Sequence, residues 1–595
     1  MKPVWRIFRD VLAVLPAEAS RFLIAYSVLL GLLSILDAAA LGLLAVVISP
    51  IISGITLTLP FLGVVDEVGL LLLLALVCLL IIVKGALAVA LLWRATRRFA
   101  KYELVIGSRL FDTYIESSWL ERLKRNSSDI VRLTDGSVGV TVSGFLLPAS
   151  TLLGEITSFV TIVVVLALVQ PVVAAIALSY LGLIGAVLFF WVTKRSRQAG
   201  QVNLRYTLRT SRLITEMIGA LKEVTLRNKS HEIASVVRAN RVHSTRARSN
   251  IQFLGQVPRY VLESGIIGGF VLVGVAGYLT GGITEAITAV ALFGVAGFRM
   301  APSVIRFQAV VSQVTSNLPH VKAVLKEIRR SEASVEHLAN RALRELPEDA
   351  TQIVFDSVTF RYAPESQPAV ADVTISIPLG STVAFVGSSG AGKSTMIDLV
   401  LGLIEPSEGS IRVENTPLTE LTAAWRSHVG YVPQDVALFD ATVAQNVALS
   451  WSGEIDRDRV RAALRQAQLL DTIEAREDGI DGTIGERGLA LSGGQRQRMG
   501  IARALYAQPL VLVMDEATSA LDTATEAEVT TAIKGLRGAM TIIVVAHRLS
   551  TVQHSDQIFF MSAGKVAAQG TFEELVQSVP EFARQAGLAG LADME

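Results

Sequence analysis

Three short runs in the last third of the chain hold the residues able to do chemistry. Gly387–Thr395 reads GSSGAGKST, follows the apolar run Thr382–Val386 and opens an apolar helical stretch reaching Leu403. Glycines at these spacings let the backbone curl, so that the N–H groups of Gly387, Ser388, Ser389, Gly390, Ala391 and Gly392 face phosphate oxygens at the positive end of a helix. Lys393 would then reach the β- and γ-phosphates, and the hydroxyl of Ser394, followed by Thr395, would hold Mg²⁺. A second run, Val511–Met514, is an apolar strand ending in Asp515 and Glu516. An acid at a strand end beside a phosphate loop can organise the Mg²⁺ shell, which suits Asp515. The next carboxylate, Glu516, is placed to polarise an attacking water as general base. Alone, such a pair would serve equally well as a helix N-cap; beside the loop it reads as catalytic. The third run, Leu491–Gln495 (LSGGQ), opens a helix to Leu505. Its small residues Ser492, Gly493 and Gly494 expose N–H donors to an anion. ATP and Mg²⁺ are the cofactors these runs require.

Such motifs need an α/β domain, and after about Ala350 short apolar runs do alternate with helical patterns. The first half of the chain is different. The 595 residues are 51% hydrophobic and 18% charged, against about 25% charge in soluble domains, and mean hydropathy is +0.49. Apolar stretches at Phe22–Ile52, Gly69–Trp93, Val140–Val169, Val172–Val192, Tyr260–Thr280 and Ile283–Phe298 predict six spans, each near the roughly 20 residues a bilayer core requires. With 54 Lys+Arg against 53 Asp+Glu, no basic excess calls for a nucleic-acid partner. The single cysteine, Cys78, excludes an internal disulfide and reads as a buried small hydrophobe in the second span.

Positive charge sets the orientation. The connections Gly54–Val68, Gln170–Pro171 and Gly281–Gly282 carry no Lys or Arg, whereas Arg94–Arg132, Lys194–Arg248 and Lys322–Arg330 are rich in both. Both termini and both long loops therefore belong in the cytoplasm. Met1–Ser20 reads as an amphipathic helix on the inner leaflet. The long loops read as helical extensions of the spans. Breaks at Ser127–Ser128, Gly219 and Asn228–Ser230 predict short crosswise helices near Ser117–Arg125 and Ile214–Val224. The domain layout is a membrane domain over 1–330, a polar connector over 331–350 and a nucleotide-binding domain over 351–595.

Taken together, these runs resemble the ATP-binding cassette family, and within it the exporters that fuse six spans ahead of one cassette. The resemblance implies an α-helical membrane domain plus an α/β phosphate-loop cassette. Tyr362, in TFRYAP, then matches the aromatic residue that stacks on adenine. Gln434, in YVPQD, matches the glutamine contacting Mg²⁺ and the attacking water. Glu486, in TIGERG, matches the acid of the exporter loop that meets the crosswise helices. Asp522, in SALD, matches the loop crossing between cassettes, and His547, in VVAHRLS, the histidine holding the γ-phosphate. In the family Ser492, Gly493, Gly494 and Gln495 act on ATP held by a second cassette. The resemblance thus implies a homodimer of twelve spans in the cytoplasmic membrane.

The cargo is read from charges inside the spans, which are costly there and default to function. Arg299 and Arg306 are two helical turns apart and share a face, and Arg259 sits at the entry of the fifth span. Guanidinium forks on a cavity wall suit phosphate or pyrophosphate. Ion pairing of Arg259 with Glu263, or of a sixth-span arginine with Glu155, is the alternative. PRYVLE at Pro258–Glu263 and FRMAPSVIR at Phe298–Arg306 are similar to stretches of PglK-type exporters, which implies an anionic lipid-linked oligosaccharide as cargo. An exporter of peptides or amphipathic drugs is the competing expectation.

Overall fold

The computed structural model describes residues 2–53, 57–59, 63–65, 67–169, 171–339, 344–347, 349–485, 488–516, 531, 533–546, 548–588 and 591. These fall into two units, Met1–Ser117 with Glu121–Val335, and Ser118–Leu120 with Glu336–Glu595.

The first unit is helical: α1 (Lys2–Val14), α2 (Ala17–Ser53), α3 (Glu67–Glu116), α4 (Trp119–Leu123), α5 (Ser127–Arg132), α6 (Leu147–Val169), α7 (Pro171–Gly219), α8 (Leu221–Leu226) and α9 (Ser230–Ala339). The 50 residues of α3 make a rod about 75 Å long, more than twice the hydrocarbon thickness, so it continues well beyond its span. Its apolar portion turns Leu71, Leu72, Leu79 and Ile82 outward, as a lipid-facing surface requires, and Cys78, expected to be buried, is exposed on it. Among the described residues five helical segments are long and apolar enough to cross a membrane: Ala17–Leu36, Leu71–Glu116, Val140–Val164, Ala174–Gly219 and Ser230–Leu279. The sixth expected span follows a break in α9 at Gly281–Gly282, where Gly282 has φ 75, a conformation that favours residues without Cβ. Several side chains of that span lie outside the described residues. The helix continues to Ala339, so the first part of the expected connector is helical.

Amphipathic packing explains the N-terminus. Ile7, Val11 and Val14 of α1 are buried with Leu23, Tyr26, Ile106 and Phe145, while Trp5 stays exposed and stacks on Phe8. The expected helix breaks are present: Asn126 caps α5 by accepting from Ser128 N, α7 stops at Gly219, and Asn228 takes φ 54. Short helices follow the long ones at both places: α4 lies within the expected Ser117–Arg125, whereas α8 starts only at Leu221, because Ile214–Gly219 still belongs to α7. The segment between the first two spans, whose form the sequence leaves open, contains a small antiparallel ribbon of β1 (Leu57–Leu59) and β2 (Gly63–Val65). Glycines in the last two spans are packing points: a Cβ on Gly269 would lie 2.3 Å from Phe293 Cζ.

Two π-helical stretches, Leu133–Ser137 and Val140–Leu146, precede α6. They face a polar seam on α9, where Asn317 Nδ2 donates to the Gly144 carbonyl (2.9 Å) and His320 Nδ1 lies 3.2 Å from Ser137 Oγ. Side-chain amides reaching such carbonyls offset the poorer ladder geometry of a π turn.

The second unit contains two sheets. Strands β3 (Gln352–Phe360), β4 (Val370–Pro378), β6 (Glu408–Val413) and β7 (Thr416–Pro417) form an antiparallel sheet in the order β4-β3-β6-β7. Strands β5 (Thr382–Gly387), β8 (Val429–Val432), β9 (Val511–Asp515), β10 (Thr541–Val545), β11 (Gln557–Ser562) and β12 (Lys565–Gly570) form the order β12-β11-β5-β10-β9-β8. All neighbours are parallel except β11 with β12. Their near-continuous apolar runs (TVAFV, VLVM, TIIVV) fit strands covered on both faces. One core lies between this sheet and the helices that include Gly493–Tyr506, the other between the two sheets. Trp119 and Leu120, which cluster with this unit, pack against the latter.

The buried His320 generates a pH prediction. Burial, aided by the Arg132 guanidinium, lowers its pKa from 6.5 to about 4. Between those values the unfolded chain binds a proton that the folded chain refuses, so stability falls as pH drops through this window. The loss reaches at most about 3 kcal/mol. A thermal melt followed from pH 7 to pH 4 should show this decline, and His320→Gln should flatten it. An equally steep decline in the variant would assign the effect to other groups.

Candidate nucleotide site

Parallel strands deliver ligand residues at their carboxyl ends. Strands β5 and β9 flank β10, so the phosphate loop after β5 and the acids ending β9 emerge on the same edge of the sheet. The loop leads directly into α10 (Lys393–Val400). Glycine is required in it for two reasons. Gly392 caps α10 with φ 100, and a Cβ there would sit 2.4 Å from the Ala369 carbonyl oxygen. A Cβ on Gly387 would meet the Met561 carbonyl oxygen at 2.2 Å. Ala391 is buried, while Ser388, Ser389, Gly390 and Ser394 are exposed at the rim.

Lys393 is buried, and its Nζ donates to the carbonyls of Gly387 (2.8 Å) and Ser388 (3.0 Å). Burial lowers its pKa, and the carboxylates of Glu516 and Asp515 oppose that shift. The cation is therefore held folded into its own loop, within electrostatic reach of both acids. Across the site Gln434 Nε2 donates to Glu516 Oε2 at 2.8 Å. Glu516 adopts φ 50, and its N–H donates to the Val545 carbonyl (2.9 Å). A non-glycine residue held in that region stores strain of order 1–3 kcal/mol, and here the bond to β10 fixes it.

Asp515 accepts from Tyr431 Oη at 3.4 Å. Burial, reinforced by the charge of Asp515, pushes the nearby Asp398 carboxyl up to about 6. Burial and the same acids push the Tyr431 phenol upward. The Ser394 hydroxyl, the Gln434 amide and the Asp515 carboxylate are oxygen donors of the hard kind Mg²⁺ prefers. Among the described residues no group of three His, Cys, Asp or Glu could hold a metal, so a cation here would have to share its shell with phosphate oxygens and water.

Tyr362 stands at the end of β3, edge-on to Phe360 (5.0 Å between centroids) and partly exposed. Its hydroxyl lies 3.2 Å from Thr395 Oγ1, which ties the candidate adenine platform to the phosphate loop. LSGGQ opens α11 (Gly493–Tyr506) with a capping box: Ser492 Oγ accepts from Gln495 N (3.3 Å), and Gln495 Oε1 accepts from Ser492 N (2.9 Å). The box serves the Ncap and N3 donors and leaves those of Gly493 and Gly494, which no helix carbonyl reaches. Gln497 Nε2 donates to the Pro433 carbonyl (3.2 Å), linking this helix to the segment that carries Gln434. Asp522, His547 and Glu486 lie outside the described residues.

Residues 370–519 match the family model described as ABC transporter. The chain carries an ABC transporter domain. Curated relatives of the cassette include the ATP-dependent lipid A-core flippases of Cupriavidus pinatubonensis (42% identity over 227 residues, 38% of this chain and 38% of that protein) and Ralstonia nicotianae (42% over 225 residues, 37% and 38%). The matched region therefore spans about 38% of the relatives' own length. A solved bacterial Atm1-family ABC exporter with ATP bound superposes with a TM-score of 0.77, covering 98% of this chain and 100% of that one at 22% identity. The fold is that of an ABC exporter, with a multi-pass helical membrane unit and an ATP-binding cassette.

Within this cassette the loop, Lys393, Gln434, Asp515, Glu516 and Tyr362 come together around the carboxyl ends of β5 and β9. Sequence reasoning passed over Tyr431 and Asp398. The one available signal was the exposed position of Tyr431 in the alternating strand Val429–Val432. The membrane arginines have carboxylate partners: Arg259 Nε donates to Glu263 Oε1 (2.9 Å), and Arg306 Nε to Glu155 Oε2 (3.0 Å). These are the pairings named as the alternative to cargo contact. The side chain of Arg299 lies outside the described residues.

Charge-assisted hydrogen bonds contribute about 1.5–3 kcal/mol each. Lys393→Ala should therefore weaken ATP binding by roughly ten- to a hundredfold, read by titrating a fluorescent ATP analogue. Unchanged affinity would remove Lys393 from the phosphate site.

Proposed function

We propose that two copies of this chain form an ATP-driven flippase that moves an anionic, glycan-bearing lipid across the cytoplasmic membrane by alternating access. The Gln434–Glu516 contact beside a lysine-bearing phosphate loop carries the ATPase part of this reading. The lipid part is supported by relatives named lipid A-core flippases.

When ATP enters, Lys393 exchanges the Gly387 and Ser388 carbonyls for the β- and γ-phosphates. Ser394, Gln434 and Asp515 would hold Mg²⁺, which would neutralise phosphate charge when bound. Glu516 accepts a proton from the water attacking the γ-phosphorus, and Gln434 orients that carboxylate. Tyr362 supports adenine. Ser492, Gly493, Gly494 and Gln495 close on the γ-phosphate of the ATP held by the second copy, with Asp522 at the crossing and His547 at the γ-phosphate. One copy cannot complete the site, so ATP draws the cassettes together and hydrolysis releases them.

In the membrane unit, Arg306 uses its Nε on Glu155 and one Nη2 hydrogen on Ser303 Oγ (3.3 Å), leaving further donors of its five for a phosphate. Arg259 and Arg299 are the other proposed headgroup contacts. An anionic lipid would compete with Glu155 and Glu263 for these guanidiniums, coupling cargo entry to ion-pair exchange.

Glu516→Gln should retain ATP binding, lower turnover by about 10²–10⁴-fold and accumulate a closed dimer. Phosphate release and size-exclusion chromatography check this, and wild-type turnover would remove Glu516 as the base. Arg306→Gln should reduce flipping of a phosphorylated glycolipid in proteoliposomes more than basal ATPase. Equal losses of both would indicate damage to the fold. Stimulation of the ATPase by hydrophobic peptides and not by the glycolipid would replace the lipid reading with a peptide exporter.

A further inference from the structure

Pro148 is the second residue of α6. It has no N–H to give the carbonyl four residues back, that of Gly144, and in an α-helix its ring would strike that carbonyl. The backbone before it avoids the clash by widening: Leu147 N donates to the Val142 carbonyl, five residues back. A second such turn, with Val138 N on the Leu133 carbonyl, precedes it. Gly136, Gly139 and Gly144 lie in the same stretch. Thr141 and Ser143 turn their hydroxyls onto the carbonyls of Ser137 (2.8 Å) and Gly139 (2.7 Å), contacts that bend helices. Residues 133–148 are therefore a weak point at the start of the third span.

The carbonyl that Pro148 leaves without an α-helical donor is taken by a side chain of α9. Asn317 Nδ2 donates to it at 2.9 Å, and the fit is close, since a Cβ on Gly144 would lie 2.6 Å from that nitrogen. Further into the span α9 holds α6 again. Arg306 Nε donates to Glu155 Oε2 (3.0 Å), and Ser303 Oγ lies 3.3 Å from Ser158 Oγ. Eleven residues separate Asn317 from Arg306, and eleven separate Gly144 from Glu155. That is about three helical turns, so the clasp at the base and the ion pair beyond it lie along one seam between the two helices. Glu155 is about 10 Å beyond Pro148 and Ser158 about 15 Å. A change of about 20° in the kink would carry them roughly 4 Å and 5 Å sideways, enough to break both contacts.

We propose that residues 133–148 are a hinge and that Asn317 is a positioning residue: by holding the Gly144 carbonyl it fixes the angle of α6 and so keeps Glu155 on Arg306. When the Asn317 amide lets go, α6 swings about Pro148 and the Arg306 guanidinium is freed. The device lies within the membrane unit and does not depend on the identity of the transported cargo.

The test uses the full chain in membranes, without nucleotide or cargo, in a Cys78→Ser background carrying Ser158→Cys and Ser303→Cys. Oxidation should join the two thiols readily, because the hydroxyls they replace are 3.3 Å apart. Asn317→Leu removes the clasp at similar volume and should slow disulfide formation about tenfold, as loss of one hydrogen bond allows. Gly144→Ala, whose methyl displaces the Asn317 amide, should do the same. Pro148→Ala returns a helical donor to the Gly144 carbonyl, so in that background Asn317→Leu should change the rate less than about twofold. An asparagine with a merely structural role would keep its full effect there. No disulfide with Asn317 intact, an unchanged rate in either folded single variant, or a full effect of Asn317→Leu beside Pro148→Ala overturns the hinge. If no variant folds, hydrogen exchange of the wild-type chain decides. Amides of Val140–Leu146 should then exchange at least about tenfold faster than those of residues 99–110 of α3, which contribute to the same core. Equal protection overturns the hinge as well. The crosslink is read without cargo, so its failure leaves the flippase reading untouched.

Discussion

Phosphate recognition by a backbone loop makes a demand that much of the cassette serves. The N–H groups must converge, which requires glycines at 387 and 392, where neighbouring carbonyls from Met561 and Ala369 leave no room for a Cβ. The loop must also be anchored between a buried strand and a helix, hence the fully apolar β5 and the buried face of α10. The lysine that completes it cannot be left as an unpaired buried charge, and the carbonyls of Gly387 and Ser388 hold it. Those same carbonyls are weaker partners than phosphate. The resting arrangement is thus stable enough to fold and is readily exchanged on binding.

On the opposite side of β10 the constraint is charge of the other sign. Asp515 and Glu516 sit at one strand end, and burial, reinforced by the charge of Asp515, raises the neighbouring Asp398 and Tyr431. Lys393 supplies part of the missing positive charge. Glu516 also carries backbone strain, stabilised by β10 and by Gln434. Gln434 follows β8, next to β9 in the sheet, so any movement of that edge strand moves the glutamine relative to Glu516. The Pro433 carbonyl accepts from the helix that LSGGQ opens. Glu516, Gln434 and the LSGGQ helix are therefore mechanically connected within one cassette.

Much of this was legible in the sequence because glycine spacing, apolar strands and terminal acids are local signals. The loop, Asp515, Glu516 and the LSGGQ helix emerge where their patterns place them, and the helix breaks at Asn126, Gly219 and Asn228 follow from capping and turn chemistry. What depends on alignment between distant segments was not legible. Tyr431 reaches Asp515 only because β8 and β9 are paired in a particular register. The π-helical stretches before α6 leave no periodic signature, since their polar contacts come from Asn317 and His320, far along the chain. The ribbon of β1 and β2 escaped for a related reason: strands of three residues are too short to show an alternating pattern.

The intramembrane arginines show the same limit in energetic terms. A guanidinium in a span cannot remain unpaired at low cost, so Arg259 and Arg306 find Glu263 and Glu155 whether or not cargo later claims them. In the proposed function the carboxylate partner of each arginine would set the affinity that an incoming anion must exceed, so pairing and cargo binding would be successive states of one charge.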